Sequence, residues 1–208
     1  IKHNITVDET TNNLGNLTVN SGNTLTINDG FTVNIDGTFD ASGATIDMNS
    51  SSLLTLAGTV TNLGTLDEAA GTVEYDGGTQ NVLADAYYNL EIDQSGIKTS
   101  QGTLTAAGTL TVQSGATYAI AATSTTVTGA TDINGTLTAS TGTFDANGAF
   151  DATGGTIDFT GSGRLQCSGT VTGFGSSLSI DNGTVEYDGT NQTIIADTYY
   201  NLEVDGSG

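Results

Sequence analysis

The side chains that most often perform catalysis are few and far apart in this chain. Its one histidine, His3, lies more than a hundred residues from its one cysteine, Cys167, and the three basic residues are Lys2, Lys98 and Arg164. A catalytic thiol needs a neighbouring base, and a polysaccharide lyase needs a strong base with cations that bind uronate carboxylates. The sequence brings neither set together, so we predict that the protein is not an enzyme.

Acidic residues are abundant, with 23 Asp and Glu and a net charge of −20. Paired carboxylates can hydrolyse glycosides, and oxygen ligands at turns can bind Ca²⁺. The candidate calcium corners are Asn28-Asp29-Gly30, Asp67-Glu68 and Asp181-Asn182-Gly183. None has the spacing of an EF-hand or of the glycine-rich calcium repeat. We therefore expect a solvated acidic surface without a cofactor, with Ca²⁺ as the alternative. Such a charge disfavours nucleic acid and anionic lipid as partners.

A repeated YYNLE segment is the strongest candidate for specificity. Strand alternation in its first copy predicts Tyr88, Leu90 and Ile92 on one face and the other residues on the opposite face. The predicted outer face of the two copies is an interaction surface made of Tyr87, Asn89, Glu91, Tyr199, Asn201 and Glu203. It could stack on a sugar or dock a like chain. The alternative is a structural tyrosine that covers the preceding stretch, 77–86, which we expect to protrude.

These segments belong to a long internal repeat. Residues 71–96 match residues 183–208 at 18 of 26 positions, and residues 37–48 match 148–159 at 8 of 12 positions. Self-similarity at a fixed period is typical of stacked architectures. We predict a first unit at 1–96 and a second unit at 97–208, continuous with the first. Ile1-Lys2 resumes the pattern of Ile97-Lys98, so we expect a longer tandem array.

Composition and spacing predict an all-β solenoid. The chain has 29 Gly, 39 Thr and no Pro, and few residues that favour helices. One apolar residue per predicted strand recurs at steps of 6 to 9, and three steps sum to about 22. The residues are Leu17, Leu25, Val33, Phe39, Ile46, Leu54, Val60, Leu66, Val73, Val82 and Leu90. This spacing indicates a parallel β-helix with three short strands per coil of about 22 residues. A β-sandwich would have longer intervals.

Strand parity also predicts which residues face inward. In the recurring pattern Gly-Thr-apolar-Asp, the apolar residue points inward and the threonine and aspartate point to water. Phe39, Phe150 and Ile157 are therefore predicted core residues. Cys167 shares the parity of Leu165, so we predict a small buried core residue rather than a reactive thiol.

The segments GTVEYDG and YYNLE, together with the strand pairs around Asn16–Ile27 and Gly108–Ile120, resemble the repeats of very large β-strand-repeat surface proteins of gliding and marine bacteria. The resemblance covers most of the chain. It implies export by type IX secretion, a secreted or cell-surface location, and a role in adhesin, gliding or capture filaments. The implied partners are like chains in a homo-oligomer or filament, or a cell-surface glycan. The segment itself is not expected to insert into a membrane.

Two other functions compete with this interpretation. Threonine pairs separated by one residue resemble the ice-binding faces of certain antifreeze proteins. They begin at Thr24, Thr59, Thr103, Thr109, Thr136 and Thr170. Their uneven spacing does not fit one ladder with a period of about 22 residues, so ice binding, like carbohydrate binding, is kept as an alternative. A polysaccharide-degrading β-helix is the remaining alternative.

Overall fold

The computed structural model describes residues 1–67, 69–176, 178–179 and 181–206. Within these ranges the chain forms short strands and no helix. Every pairing between the named strands is parallel, and paired residues lie one coil apart in the sequence. The protein is a parallel β-solenoid of about ten turns, as its periodicity predicts.

The described strands form five sheets, which we name by size. The nine-stranded sheet contains β2 (Thr11–Leu14), β5 (Thr32–Ile35), β8 (Leu53–Leu56), β11 (Thr72–Tyr75), β14 (Asn89–Ile92), β17 (Leu110–Val112), β20 (Thr131–Ile133), β23 (Phe150–Asp151) and β26 (Val171–Gly173). The seven-stranded sheet contains β13 (Ala86–Tyr87), β16 (Leu104–Ala106), β19 (Ser124–Val127), β22 (Thr143–Ala146), β25 (Arg164–Cys167), β27 (Thr184–Tyr187) and β28 (Asn201–Val204).

The five-stranded sheet contains β12 (Gln80–Val82), β15 (Gly96–Ser100), β18 (Ala116–Ile120), β21 (Thr136–Ala139) and β24 (Thr156–Phe159). The four-stranded sheet contains β1 (Ile5–Val7), β4 (Thr24–Ile27), β7 (Thr45–Met48) and β10 (Thr65–Asp67). The three-stranded sheet contains β3 (Leu17–Thr18), β6 (Phe39–Asp40) and β9 (Val60–Asn62).

Chain order arranges these sheets on three faces. As far as β25, a strand of the nine-stranded sheet, face 1, is followed by one of the three- or five-stranded sheet, face 2. The next strand belongs to the four- or seven-stranded sheet, face 3, before the chain returns to face 1. After β26, the next two described strands, β27 and β28, both belong to the seven-stranded sheet. The ladders continue from the first unit into the second, since β14 pairs with β17 and β12 with β15.

Coil length varies more than the regular sequence period indicates. The register pairs Leu17 with Phe39 in a long coil, and Leu90 with Leu110 in a shorter one. The shortest coils belong to the repeated segment, where Thr72 pairs with Asn89 and Thr184 pairs with Asn201. A special local structure must therefore close these two short coils.

The interior is a column of apolar side chains, one or two from each strand. Nine of the eleven predicted inward residues are buried, and the other two, Leu17 and Leu66, are partly buried against the core. Phe39, Phe150 and Cys167 have no exposed surface, which confirms their predicted placement. Burial of this continuous apolar column is the main stabilising contribution in a solenoid.

Two glycines show why the coil corners need small residues. A Cβ on Gly37 would lie 1.9 Å from the carbonyl oxygen of Gly15, and one on Gly58 would lie 2.0 Å from that of Gly37. Stacked corners approach each other too closely for any side chain. These glycines are required for close packing of the backbone.

The second unit is rotated by one face relative to the first. The strand Thr72–Tyr75 lies on face 1, but its repeat Thr184–Tyr187 lies on face 3. Phe39–Asp40 on face 2 likewise corresponds to Phe150–Asp151 on face 1. The offset between the units therefore spans five coils and two further faces. Equivalent residues of the two units point in different directions around the axis.

Candidate interaction surface

The first YYNLE segment turns a corner between two strands. Ala86–Tyr87 is strand β13 on face 3, and Asn89–Ile92 is strand β14 on face 1. Tyr87 is buried, with 1% of its surface exposed, whereas Tyr88 is 36% exposed. The prediction that Tyr87 faces outward was wrong, and so was the inward placement of Tyr88. Because the chain turns a corner at Tyr88, the inward and outward alternation of β14 does not apply to β13. The inward placement of Leu90 and Ile92 therefore does not predict the direction of Tyr88 or Tyr87.

The sequence predicts that the preceding stretch, 77–86, protrudes from the solenoid, and this prediction was wrong. It contains strand β12 on face 2 and the start of β13, and therefore forms the wall of the short coil. Gln80 and Val82 are buried. No protruding loop forms because all of this stretch is needed to cross one face of so short a coil.

Buried tyrosine hydroxyls cross-link this short coil. The Tyr75 and Tyr87 hydroxyl oxygens lie 3.1 Å apart, and the Tyr87 hydroxyl also donates to the Leu83 carbonyl oxygen at 2.7 Å. The Leu83 amide donates to the Tyr75 hydroxyl at 3.3 Å. The two rings pack edge to face with centroids 6.5 Å apart. Burial raises the pKa of Tyr75 to about 12 and also raises the pKa of Tyr87, so both rings remain neutral donors and acceptors at physiological pH.

Gln80 closes the same coil against the one before it. Its side-chain amide donates to the carbonyl oxygens of Leu56 at 2.8 Å and Gly58 at 2.7 Å. Its side-chain oxygen accepts a hydrogen bond from the Gly77 amide at 2.7 Å. Three backbone groups at a corner are thus satisfied by one side chain, which offsets the cost of burying them.

The second copy reproduces this network, with the tyrosines, the glutamine and the Leu83 position shifted by 112 residues and the carbonyl acceptors of the glutamine shifted by 111. Tyr187 and Tyr199 replace Tyr75 and Tyr87, with hydroxyl oxygens 3.3 Å apart. Their backbone partner is Ile195, which donates at 3.1 Å and accepts at 2.5 Å. Gln192 donates to the Cys167 and Gly169 carbonyl oxygens at 2.7 and 2.8 Å. The identical letters of the repeat therefore encode a hydrogen-bond network that closes a short coil.

The predicted outer residues Asn89 and Glu91 of the first copy do lie on the outside, but they make structural contacts. The Asn89 side-chain oxygen accepts hydrogen bonds from the amide and hydroxyl of Thr109, at 2.9 and 3.0 Å. Its nitrogen donates to the Ala70 carbonyl oxygen at 3.2 Å, so Asn89 joins three successive coils. Glu91 accepts a hydrogen bond from Gln113 at 2.5 Å.

The second copy carries an ion pair that the first copy lacks. Arg164 donates to Glu186 and to Glu203, both at 2.6 Å, and thereby bridges two stacked glutamates. Asn201 donates to the Gly183 carbonyl oxygen at 3.2 Å. Tyr199 is partly buried, so its predicted outward placement was also wrong, whereas Tyr200 is 58% exposed.

The corresponding glutamates of the first copy, Glu74 and Glu91, are stacked without such an arginine. Partial burial, with a smaller contribution from the negative charges of Glu91, Asp76 and Asp93, raises the pKa of Glu74 to about 7. A hydrogen bond from the Thr55 hydroxyl, at 3.0 Å, acts in the opposite direction. Protonation of Glu74 near neutral pH relieves the repulsion within this stack.

Lys98 is a buried charged residue that sequence reasoning missed. It is fully buried in β15, and its ammonium group donates to the Gln94 carbonyl oxygen at 2.6 Å. Burial lowers its pKa, while Asp93 and Asp76 favour the charged form. Its neighbour Ile97 is 49% exposed. The charged side chain of this strand faces inward and the apolar one faces outward, so alternation gave no signal for the lysine.

Comparison of the chain with protein-family models, with curated proteins and with solved structures found no match. The described residues contain no helix long and apolar enough to span a bilayer.

The remaining sequence candidates for chemistry are the Cys167 thiol and the acidic corners. Burial raises the pKa of the Cys167 thiol to about 12, so it stays protonated. Within residues 1–67, 69–176, 178–179 and 181–206, no group of three or more His, Cys, Asp or Glu side chains could hold a metal ion. Of the candidate calcium corners, Asp67-Glu68 lies partly outside the described residues because Glu68 is not among them.

The threonine pairs considered for ice binding are distributed over all five sheets. The pair at Thr24 lies in the four-stranded sheet, that at Thr59 in the three-stranded sheet, and that at Thr136 in the five-stranded sheet. Those at Thr109 and Thr170 share the nine-stranded sheet but are separated by β20 and β23. The pairs therefore do not form one continuous flat array.

Of the predicted surface, Asn201 and Glu203 are exposed and Asn89 and Glu91 are partly buried, and the exposed tyrosines beside these two sets are Tyr88 and Tyr200 instead of Tyr87 and Tyr199. The first set lies at the start of face 1, and the second at the start of face 3. Tyr88 therefore lies at the corner between faces 3 and 1, and Tyr200 at the corner where the chain enters face 3 from face 2. The two sets thus point in different directions and do not form one row along the axis, although both corners border face 3.

Proposed function

We propose that this chain is a non-catalytic structural segment of a large extracellular surface or filament protein used in adhesion, gliding or the capture of other cells. One observation carries the proposal: the repeated residues Tyr75, Gln80 and Tyr87 and their counterparts in the second unit form internal hydrogen bonds. The repeat encodes how a rod is built rather than a site for chemistry. Its resemblance to β-strand-repeat surface proteins and its net charge of −20 also support an exposed, extracellular rod.

A rod that carries force makes a mechanical prediction. Chains tethered at residues 1 and 206 and pulled in a single-molecule force experiment should resist extension, then unfold in steps that release several coils together, because each coil packs on its neighbours. Extension at low force without steps would contradict a structural role.

The non-catalytic assignment has its own test. Incubation of the chain with acidic polysaccharides should release no reducing ends or unsaturated uronates. Release of either product would contradict the non-catalytic assignment.

The proposed location has a separate test. An antibody raised against the folded chain should label intact source cells or their external filaments. Labelling that requires permeabilised cells would contradict export to the surface. Loss of external labelling when type IX secretion is disabled is the expected result, and unchanged labelling would contradict that export route.

A surface glycan is the second candidate target, favoured by the exposed rings of Tyr88 and Tyr200. Aromatic rings beside amide and carboxylate groups suit sugar stacking and hydrogen bonding. We expect a Tyr88→Ser, Tyr200→Ser variant to lose binding to a glycan panel. A variant with Ile97→Ser, which removes an exposed apolar side chain elsewhere, is the matched control. Equal glycan binding by both variants would rule out these tyrosines.

A further inference from the structure

Each coil of the solenoid is held to the coil before it by parallel ladders on its faces. Among the described strands from β2 to β25, every such interface but one has a ladder on all three faces. The exception lies between the coil of β8, β9 and β10 and the coil of β11, β12 and β13, and we name it the joint. Only β8 and β11 pair across it, on face 1. On faces 2 and 3, sheets end at β9 and β10, and different sheets begin at β12 and β13.

The interfaces on either side of the joint provide a direct comparison. Before it, β5 pairs with β8, β6 with β9 and β7 with β10. After it, β11 pairs with β14, β12 with β15 and β13 with β16. The hydrogen bonds of a ladder lie along the direction in which coils stack, so tension along the axis loads them directly. The joint therefore resists such tension with one ladder where its neighbours have three.

Side chains replace only part of the missing backbone bonding. Gln80 donates across the joint to the carbonyl oxygens of Leu56 and Gly58, and the Thr55 hydroxyl donates to Glu74. Where β9 and β12 do not pair, a cavity of about 310 Å³ is lined by residues 57–60 of one coil and 79–81 of the next. Packing on face 2 is therefore interrupted at the joint as well as the ladder.

Two buried polar atoms beside the single ladder have no hydrogen-bond partner within the described part of the chain. They are the Ser52 Oγ atom, just before β8, and the Asp76 Oδ1 atom, just after β11. An unsatisfied buried polar atom is costly, and water can satisfy it once two coils separate. The apolar column continues through the joint and keeps it closed without load. Opening this interface therefore requires less free energy than opening either of its neighbours.

We propose that the joint is a built-in opening point: under tension along the rod, the coils separate there first, while the coils on either side stay folded. This inference rests on the proposed function as a force-bearing rod and deepens it by naming where the rod yields. Each coil contacts only its neighbours, so loss of one interface leaves the others intact. The smaller block before the joint should then unfold as a unit, releasing roughly 70 residues at about 3.6 Å each, or about 250 Å.

Native-state hydrogen exchange tests the joint in the unmodified chain without force. The backbone amides of Thr72 and Asp76 donate across the joint to carbonyl oxygens of the preceding coil. The amides of Asn89 and Asp93 make the equivalent bonds at the next interface, one coil later. Exchange followed by NMR should be about tenfold faster or more for the first pair, because the joint opens more often. Equal or slower exchange of Thr72 and Asp76 would overturn the proposal.

A disulfide across the joint tests the response to tension. In a Cys167→Ala background, Leu53→Cys with Thr72→Cys links paired, partly exposed positions of β8 and β11. Thr32→Cys with Leu53→Cys links β5 to β8 one coil earlier and is the matched control. Pulled as single chains, the joint disulfide should raise the force of the first unfolding event, whereas the control disulfide should leave that force unchanged.

The proposal is overturned if both disulfides raise the force of the first event equally, or if neither does. Reduction of the joint disulfide should restore the force of the unmodified chain, which separates the effect of the cross-link from that of the substitutions. Failure of the joint and failure of the rod function are distinguishable. Stepwise unfolding that the joint disulfide leaves unchanged rejects the joint alone, whereas extension at low force without steps rejects the force-bearing rod.

Discussion

The two YYNLE segments have nearly the same sequence and the same internal network but different surroundings. In the first, strand β14 lies between β11 and β17, and Leu90 and Ile92 are buried. In the second, β28 pairs with β27 alone among the described strands, and Leu202 and Val204 are exposed. Both coils are nevertheless equally short and close through the same tyrosine and glutamine contacts.

This contrast separates two contributions to the fold. The network of Tyr75, Gln80 and Tyr87 is local to one short coil, so it recurs wherever the segment occurs. Burial of the strand depends on the next coil, because each coil of a solenoid contacts only its neighbours. Whether Leu202 and Val204 are exposed therefore depends on what stacks on β28 and not on the YYNLE segment itself.

The largest expected difference between the copies concerns Ile92 and its counterpart Val204. Ile92→Lys places an unpaired charge in the apolar column and should lower the free energy of unfolding by about 4 kcal/mol or more. Val204→Lys should change it by less than about 0.5 kcal/mol because the side chain is already exposed. Denaturant titrations followed by circular dichroism measure both values. Similar destabilisation by both substitutions would contradict the burial of Ile92 and the exposure of Val204.

The tyrosine hydroxyls should give the next largest effect. Tyr75→Phe removes the partner of the Tyr87 hydroxyl and of the Leu83 amide, which should cost about 1 to 3 kcal/mol. Tyr187→Phe should cost less, because Tyr199 is only partly buried and water can replace the lost partner. The same denaturant titrations apply. An equal or larger loss of stability in Tyr187→Phe would show that burial by a following coil does not strengthen the tyrosine hydrogen bonds.

A pH dependence should distinguish the two glutamate stacks. The pKa of Glu74 is raised to about 7 in the folded state, above its ordinary value of 4.5, so the native state binds this proton more tightly. Its stabilising contribution is complete below pH 4.5 and is lost as pH rises through 7. Glu74→Gln should therefore raise stability at pH 8, by about 1 kcal/mol after solvent screening, and flatten the profile between pH 5 and 8.

Melting curves of Glu74→Gln and the unmodified chain, recorded from pH 4 to 8, provide that measurement. Glu186→Gln is the matched control, because Glu186 accepts a hydrogen bond from Arg164 and loses an ion pair when substituted. It should not raise stability at pH 8. An unchanged profile for Glu74→Gln would contradict the raised pKa.

The smallest effect concerns transfer of the arginine to the first copy. Arg164 pairs with Thr184 in the strand register as Leu53 pairs with Thr72, so Leu53→Arg places a guanidinium beside Glu74 and Glu91. This should lower the pKa of Glu74 and add at most about 1 kcal/mol near neutral pH, decreasing with salt. Leu53→Gln is the uncharged control. Carboxyl titration by NMR that finds the same Glu74 pKa in both variants would contradict the effect.

The solenoid and most of its core could be predicted from the sequence. Short apolar-centred strands at regular steps repeat throughout, and Phe39, Phe150 and Cys167 lie inside as alternation indicates. Alternation works within one strand because successive side chains point to opposite sides. It gives the correct inward placement of Leu90 and the correct outward placement of Glu91.

The predictions that failed all cross a corner or depend on three-dimensional closure. Tyr87 and Tyr88 were exchanged because a turn separates β13 from β14. Lys98 lies inside and Ile97 outside because the lysine reaches the Gln94 carbonyl oxygen at the preceding turn, which no periodic pattern shows. The rotation between units follows from adding coils of unequal length, and sequence alone does not give their individual lengths.

The central claim is that the strand of each YYNLE segment pairs directly with the TVEY strand at which the same short coil begins. Glu74 pairs with Glu91, and Glu186 with Glu203, at adjacent-strand spacing that suits a disulfide. In a Cys167→Ala background, Glu74→Cys with Glu91→Cys should form an intramolecular disulfide on mild oxidation, detected by mass spectrometry. Glu74→Cys with Glu203→Cys should remain reduced. If the variant with cysteines at positions 74 and 91 stays reduced, or the variant with cysteines at positions 74 and 203 forms an intramolecular disulfide, the short coil formed by the repeated segment is contradicted.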